Sequence, residues 1–365
     1  MDVRVRFVSV VLWLRLHIAE RLGAVRASRL LQQFGDVEKI FAADATEIAE
    51  AAGVSVRVAR RLLSDETKER AQKVLEEANG CGAQVIYPTH RFWPPQFVAL
   101  SDAPVVLFVR GNGEVLLRRQ VAVVGTRRAG SYGRSVARRL AASVASAGFV
   151  VTSGLAEGID TAAHKGCLEA GGATIAVMAT GPDTVYPPEN RRLAEKIVAC
   201  GGALVTEFPP RSSPRRQNFP FRNRIIAALC EVLVVVEAPQ RSGALITANY
   251  AADLGRTVMA VPARIDDANF EGSHRLIRQG AVLVSSVSDV LEELGAPPKE
   301  VISRIPQLAP DEAVVYEALS SGAETVDEIS RQSGLPPPRV LSALVRLQMR
   351  RLVSYGVGGR WSRIV

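Results

Sequence analysis

At 365 residues the chain is long for one domain and suits two or three, and a hydrophobic content of 47% is ample for a buried core. Its net charge of +8 rests on arginine, because only Lys39, Lys68, Lys73, Lys165, Lys196 and Lys299 are lysine; arginine grips phosphate bidentately, and a genome-wide arginine bias is the competing explanation. The apolar run 7–14 is too short for a membrane span and has no signal-peptide cleavage pattern, and Cys81, Cys167, Cys200 and Cys230 lack the spacing of a disulfide framework or zinc site.

Residues 1 to about 75 form a string of short helical patterns, at 27–34, 45–52 and 56–63, punctuated by Gly35 and Gly53. Such a cluster suits contact with nucleic acid or with another domain, or a simple accessory role. The cysteine usage and the absence of a targeting segment imply a reducing cytoplasm.

From about 83 to 295 strand and helix alternate. Strand patterns fall at 121–124, 149–152, 174–179, 203–206, 232–236, 257–261 and 282–284, with an extra strand expected over 102–109. Helices are expected at 135–146, 161–169 and 191–199, ending near Gly148, Gly171 and Gly201. Near-continuous apolar strands between helices predict a Rossmann-like, doubly wound, mostly parallel α/β sheet covered on both faces.

Five loops follow these strands: Gly125-Thr126-Arg127-Arg128, Ser153-Gly154, Gly181, Asn218 to Arg224, and Ser242-Gly243-Ala244. In a parallel sheet they gather at the carboxyl edge, where ligands bind. Arginines are dense and acids absent from 115 to 156 and from 208 to 230. Backbone N–H groups at the helix start after Gly125 favour an anion, and Arg127 adds a charge-assisted bond. In the fourth loop Arg222 and Arg224 suit phosphates, while Phe219 and Phe221 offer stacking. Phe219, beside Pro220, is expected to wedge into the core, and Phe221 to meet a base.

Catalysis finds little support. The first loop is not G-x-G-x-x-G and no acid ends the second strand, which argues against a nicotinamide or flavin cofactor. Asp160, expected to cap the 161–169 helix, and His164 lie four apart and suit a structural Asp–His pair. No nucleophile motif, H-E-x-x-H or P-loop lysine is present. The expectation is binding without chemistry, with no cofactor and no metal.

A proline-marked linker spans 297–310, and 311–365 reads as three helices and a glycine-tipped hairpin, the plan of a winged helix. Its third helix carries Arg339, Arg346, Arg350 and Arg351, which suit a nucleic-acid surface. Winged helices also dock proteins, and both readings stay open.

Together these residues resemble the DNA-processing protein A (DprA/Smf) family. The matching stretches are Val121 to Arg127, Ser153 to Asp160 with Ala162-Ala163-His164, Val185 to Asn190, Asn218-Phe219-Pro220 with Arg222 to Ile226, and Ser242 to Ala248. The helical first region and the winged helix resemble the family's terminal domains more loosely. The resemblance implies a single-stranded DNA binder that dimerises through its Rossmann-like domain, protects incoming strands in natural transformation and helps load RecA. It implies DNA contacts from Gly125, Thr126, Arg127, Arg128, Ser153, Gly154, Asn218, Phe219, Phe221, Arg222, Arg224, Ser242 and Gly243. The chain departs from the family pattern at Thr126, for serine, and at Glu157, a position often basic. It also departs at Ala228 and Cys230, at Ala263 for glycine, and at His274 for asparagine.

Two alternatives remain. A phosphoribohydrolase-like enzyme shares a similar sheet, but its Pro-Gly-Gly-x-Gly-Thr signature is absent; the corresponding loop reads Arg241-Ser242-Gly243-Ala244-Leu245. A winged-helix transcription regulator with a ligand-sensing α/β domain would bind a specific duplex instead of single strands.

Overall fold

The computed structural model describes residues 3–19, 22–296, 308–320, 324–350, 352–356 and 360–363. They fall into two compact units, 1–299 and 300–365.

The first unit begins with α1 (Val3–Ile18), α2 (Gly23–Phe34), α3 (Val37–Ala42), α4 (Ala45–Ala52), α5 (Val56–Leu63) and α6 (Asp65–Gly80). Local chemistry sets several starts. Asp44 and Glu47 form a capping box on α4, and Ser64 accepts from the Thr67 N–H on α6. Leu14, Leu30, Ile40, Ile48 and Leu62 fill the core, which continues into Val106 and Phe108 at the sheet edge.

The sheet has nine strands: β1 (Ala83–Ile86), β2 (Leu107–Gly111), β3 (Gln120–Val124), β4 (Val150–Ser153), β5 (Thr174–Val177), β6 (Ala203–Thr206), β7 (Val232–Val235), β8 (Thr257–Ala260) and β9 (Val282–Leu283). Their order is β1-β2-β6-β5-β4-β3-β7-β8-β9. From β6 to β9 all neighbours are parallel, while β2 runs antiparallel to β6 and to β1. The extra strand expected at 102–109 is thus β2, displaced by a few residues and extended by the hairpin partner β1.

The connecting helices are α7 (Ser131–Ser146), α8 (Ile159–Glu169), α9 (Arg191–Ala199), α10 (Asn218–Leu229), α11 (Gly243–Asp253), α12 (Glu271–Arg278) and α13 (Val287–Glu293). Val121, Val123, Val232 and Val234 pack with α7 and α8, and the alternate Ala122, Val124, Leu233 and Val235 pack with α10 and α11. Both faces are covered, which is why the parallel strands are mostly apolar on both sides. The chain winds from β3 to β6 in one direction and returns to β7 on the other side of β3. The carboxyl ends of β3 and β7 therefore mark the switch point where open α/β sheets form a crevice.

Two local expectations are corrected. Residues 218–224 are not a loop but the first turns of α10, because Pro220 falls where a helix tolerates proline. Asp160 does not cap α8. Gly158 does, at φ 75, and a Cβ there would stand 2.3 Å from the Thr126 carbonyl oxygen.

The second unit contains α14 (Pro310–Ser320), α15 (Val326–Ser333) and α16 (Pro337–Met349), then the antiparallel pair β10 (Val353–Tyr355) and β11 (Trp361–Arg363). Val315, Ile329, Leu344, Leu347 and Trp361 form its core. The linker residues 297–307, together with Arg351, 357–359 of the hairpin tip and Ile364, lie outside the described residues. Among the described residues no helix is long and apolar enough to cross a membrane.

Candidate nucleic-acid interface

A cleft of about 630 Å³ lies at the switch point. Its walls come from the loop after β3 (Gly125, Thr126, Arg127, Arg128), the amino end of α10 (Phe219, Arg222, Asn223) and the loop into α11 (Pro239, Arg241, Ser242, Gly243). Arg216 and Tyr186 complete it. Arg127, Arg128, Arg216 and Arg241 are exposed. None of the four pairs with a carboxylate among the described residues.

The loop after β3 is held by its own backbone. Thr126 N–H donates to the Glu237 carbonyl oxygen at 2.7 Å, and the Thr126 carbonyl accepts from the Ile159 N–H at 3.2 Å. The Thr126 hydroxyl accepts from the Arg128 N–H at 3.2 Å, so a hydroxyl at this position orders the turn. Ser242 accepts from the Ala244 N–H at 3.2 Å and caps α11.

The two rings are placed otherwise than expected. Phe219 lines the cleft, with the Arg127 guanidinium 4.7 Å from its ring centroid and Tyr186 edge-on at 5.6 Å. Phe221 is exposed but is not part of the lining; it lies 4.0 Å from the Arg224 guanidinium and 6.3 Å from the Phe208 ring. An aromatic at the second position of a helix and one at the fourth point to different sides, which a loop reading of 218–224 cannot distinguish.

The two arginines of that segment also part company. Arg222 is buried, and its guanidinium donates to the carbonyls of Gly154, at 2.8 Å, and Val177. Burial brings it down to about 10, so it keeps its charge at neutral pH as the floor of the cleft. Arg224 is fully buried and bridges Asp102 at 2.9 Å and Glu207 at 2.8 Å. It is not available to a phosphate, and the expectation of a contact there is withdrawn.

Ser153, Gly154 and Asn218 likewise face inward. Ser153 donates to the Val123 carbonyl at 2.7 Å, Gly154 N–H donates to Asp160, and Asn218 donates to the Ala179 carbonyl at 3.1 Å. All three are buried beneath the cleft, so their expected DNA contacts give way to support of its floor. Burial pushes the Asp160 carboxyl up, against the pull of Arg222 and of the Ala156 and Gly154 N–H groups.

The expected Asp160–His164 pair does not form. His164 Nδ1 lies 2.7 Å from the Thr174 hydroxyl, whose own proton goes to the Val151 carbonyl. Nδ1 must therefore carry the hydrogen. Burial lowers this histidine to about 3, so it is neutral and structural. Among the described residues no three His, Cys, Asp or Glu side chains gather as a metal site.

Of the departures from the family pattern, only Thr126 lines the cleft. Glu157 is exposed, Cys230 is buried at the end of α10, and His274 Nε2 accepts from the Ala263 N–H at 3.2 Å. Sequence reasoning missed Tyr186, Arg216 and Arg241 as lining residues. The signals at hand were the acid-free arginine run before α10 and the basic residue preceding Ser242.

The order of domains is shared with known proteins. The family described as DNA recombination-mediator protein A matches residues 84–295, the DprA winged helix domain matches 296–359, and a SAM-like helix-hairpin-helix tandem matches 19–69. Protein Smf of Escherichia coli is 36% identical over 96% of this chain and 95% of its own length. The X-ray structure of DNA processing protein A from Streptococcus pneumoniae superposes with a TM-score of 0.68 at 35% identity, covering 76% of this chain and 95% of that one. That from Helicobacter pylori, described for its unique single-stranded DNA binding mode, gives 0.53 at 26% identity, covering 58% and 95%. An arginine-lined cleft at the switch point, the three family matches in order and this extent of identity place the chain in the DNA recombination-mediator protein A (DprA/Smf) family.

Proposed function

We propose that the chain is a single-stranded DNA-binding recombination mediator that performs no chemistry on its ligand, works in the cytoplasm in natural transformation, protects incoming strands and helps load RecA. One observation carries the binding reading. Four exposed arginines without carboxylate partners surround an aromatic pair at the sheet's switch point. Phosphates and base faces are presented together by an unpaired strand, whereas a duplex hides the faces. Gly125, Thr126, Ser242 and Gly243 shape the walls so that a backbone can approach. The Helicobacter relative's single-strand binding and the family's description as recombination mediators support the same assignment.

The absence of chemistry is supported by how Asp160 and His164 are used, since main-chain donors and Thr174 hold them. A homodimer through the α/β unit is supported by β9, an edge strand among the described residues that exposes Val282 and Leu283. Four free cysteines suit a reducing compartment. The test is fluorescence anisotropy with single- and double-stranded DNA of equal length at several salt concentrations. Length-dependent, sequence-blind preference for single strands is expected, and equal or duplex-specific binding would overturn the reading.

A further inference from the structure

A glycine turn after a central strand, followed by a helix start at the switch point, is the layout in which α/β proteins seat a phosphate. Here the chain fills that seat itself. Just beyond β7, the Glu237 side chain is 1% exposed and turns across to the start of α7. The Gly130 N–H lies 3.0 Å from both of its carboxylate oxygens. The carboxylate sits so tightly on the first turn that a Cβ on Gly133 would stand 1.9 Å from Oε2. The Glu237 main-chain oxygen meanwhile takes the Thr126 N–H at 2.7 Å. One residue therefore ties both ends of the segment that bears Arg127 and Arg128.

We propose that Glu237 is a positioning residue that acts as an internal anion: it closes the α7 seat to free phosphate and mononucleotides and holds Arg127 and Arg128 outward for a polynucleotide backbone. The second half rests on the single-strand reading above; the first half does not. Burial pushes the Glu237 carboxyl up while the Gly130 N–H opposes that shift, so an acid is kept here against a desolvation cost. Glycine at 133 leaves the room that the carboxylate fills.

The experiment follows the Gly130 amide resonance by NMR during titration with inorganic phosphate and, separately, AMP, in the full chain and in Glu237→Ala. The wild-type amide should not respond. Glu237→Ala should bind phosphate at least about tenfold more tightly than the wild type, on the scale of an anion at a helix start. Its single-strand affinity should fall as the arginine loop loosens. A saturable wild-type response, or a folded Glu237→Ala that takes up no phosphate, would overturn the proposal; if the alanine variant fails to fold, the wild-type titration decides it. A wild type that binds no single strands, alongside a phosphate-binding Glu237→Ala, would sink the DNA reading and leave the seat assignment standing.

Discussion

Arginines are dense both around the cleft and on α16, and the two regions use them in opposite ways. In the cleft, Arg127, Arg128 and Arg216 project from stretches without acids and Arg241 from the loop before α11, and none of the four meets a carboxylate among the described residues. On α16, Arg339 makes a two-pronged bridge to Asp311 at 2.9 and 2.6 Å, and Arg346 and Arg350 each lie 3.1 Å from Glu312, which is 2% exposed. Leu341, Val345 and Met349 remain exposed on that helix. Asp311 and Glu312 on the first turn of α14 thus set two carboxylates against the three guanidiniums of Arg339, Arg346 and Arg350, which lowers the positive field of this surface without cancelling it. Arginine density alone does not make a phosphate surface; the position of the acids across the fold decides.

Arg224 offers the strongest test of that lesson, because it lies within the acid-free stretch next to the cleft yet is paired like the arginines of α16. Arg224→Ala leaves Asp102 and the buried Glu207 without their cation, and removing one partner of a buried pair costs about 3–5 kcal/mol. Urea denaturation should show that loss. Unchanged stability with weakened DNA binding would restore Arg224 to the phosphate-contacting set.

The parallel part of the sheet was legible because its strands are short, mostly apolar runs and most of its helices end at a glycine, whereas β1, with Gln84 exposed in a four-residue run, gave no such signal. The start of α10 was not legible, because proline and two phenylalanines within four residues also describe a loop. The fates of Arg222 and Arg224 were hidden for a different reason. Their acceptors Gly154, Val177 and Asp102 lie 68, 45 and 122 residues away in sequence, and Glu207, 17 residues away, falls just outside the acid-free stretch. An acid-free window says only that no partner is local. Glu237 was invisible for the same cause, since the helix start it fills lies 107 residues before it.

The aromatic pair sharpens the comparison at a smaller scale, between two rings on one helix. Phe219 shares the cleft with Arg127 and Tyr186, so Phe219→Ala should weaken single-strand binding by about 1–3 kcal/mol, the worth of one stacked base. Phe221→Ala should change it little, because that ring lies against Arg224 outside the cleft. Anisotropy titrations on both variants, with melting curves as controls, check this. Loss of binding on Phe221→Ala alone would return the stacking role to Phe221.

The smallest effects separate the two regions directly. Arg127 meets no carboxylate, so Arg127→Ala should remove one phosphate contact, weaken binding similarly for all sequences and flatten the salt dependence by about 0.7 in log–log slope. Arg339 is already matched by Asp311, and Arg339→Ala should leave the slope where it was. The pair it breaks is partly exposed, so its loss should change stability by only about 0–1 kcal/mol. A slope unchanged by Arg127→Ala but lowered by Arg339→Ala would move the phosphate track to the winged helix. That result would mean that a guanidinium bridged to an acid still exchanges it for phosphate, and that pairing does not silence an arginine in this chain.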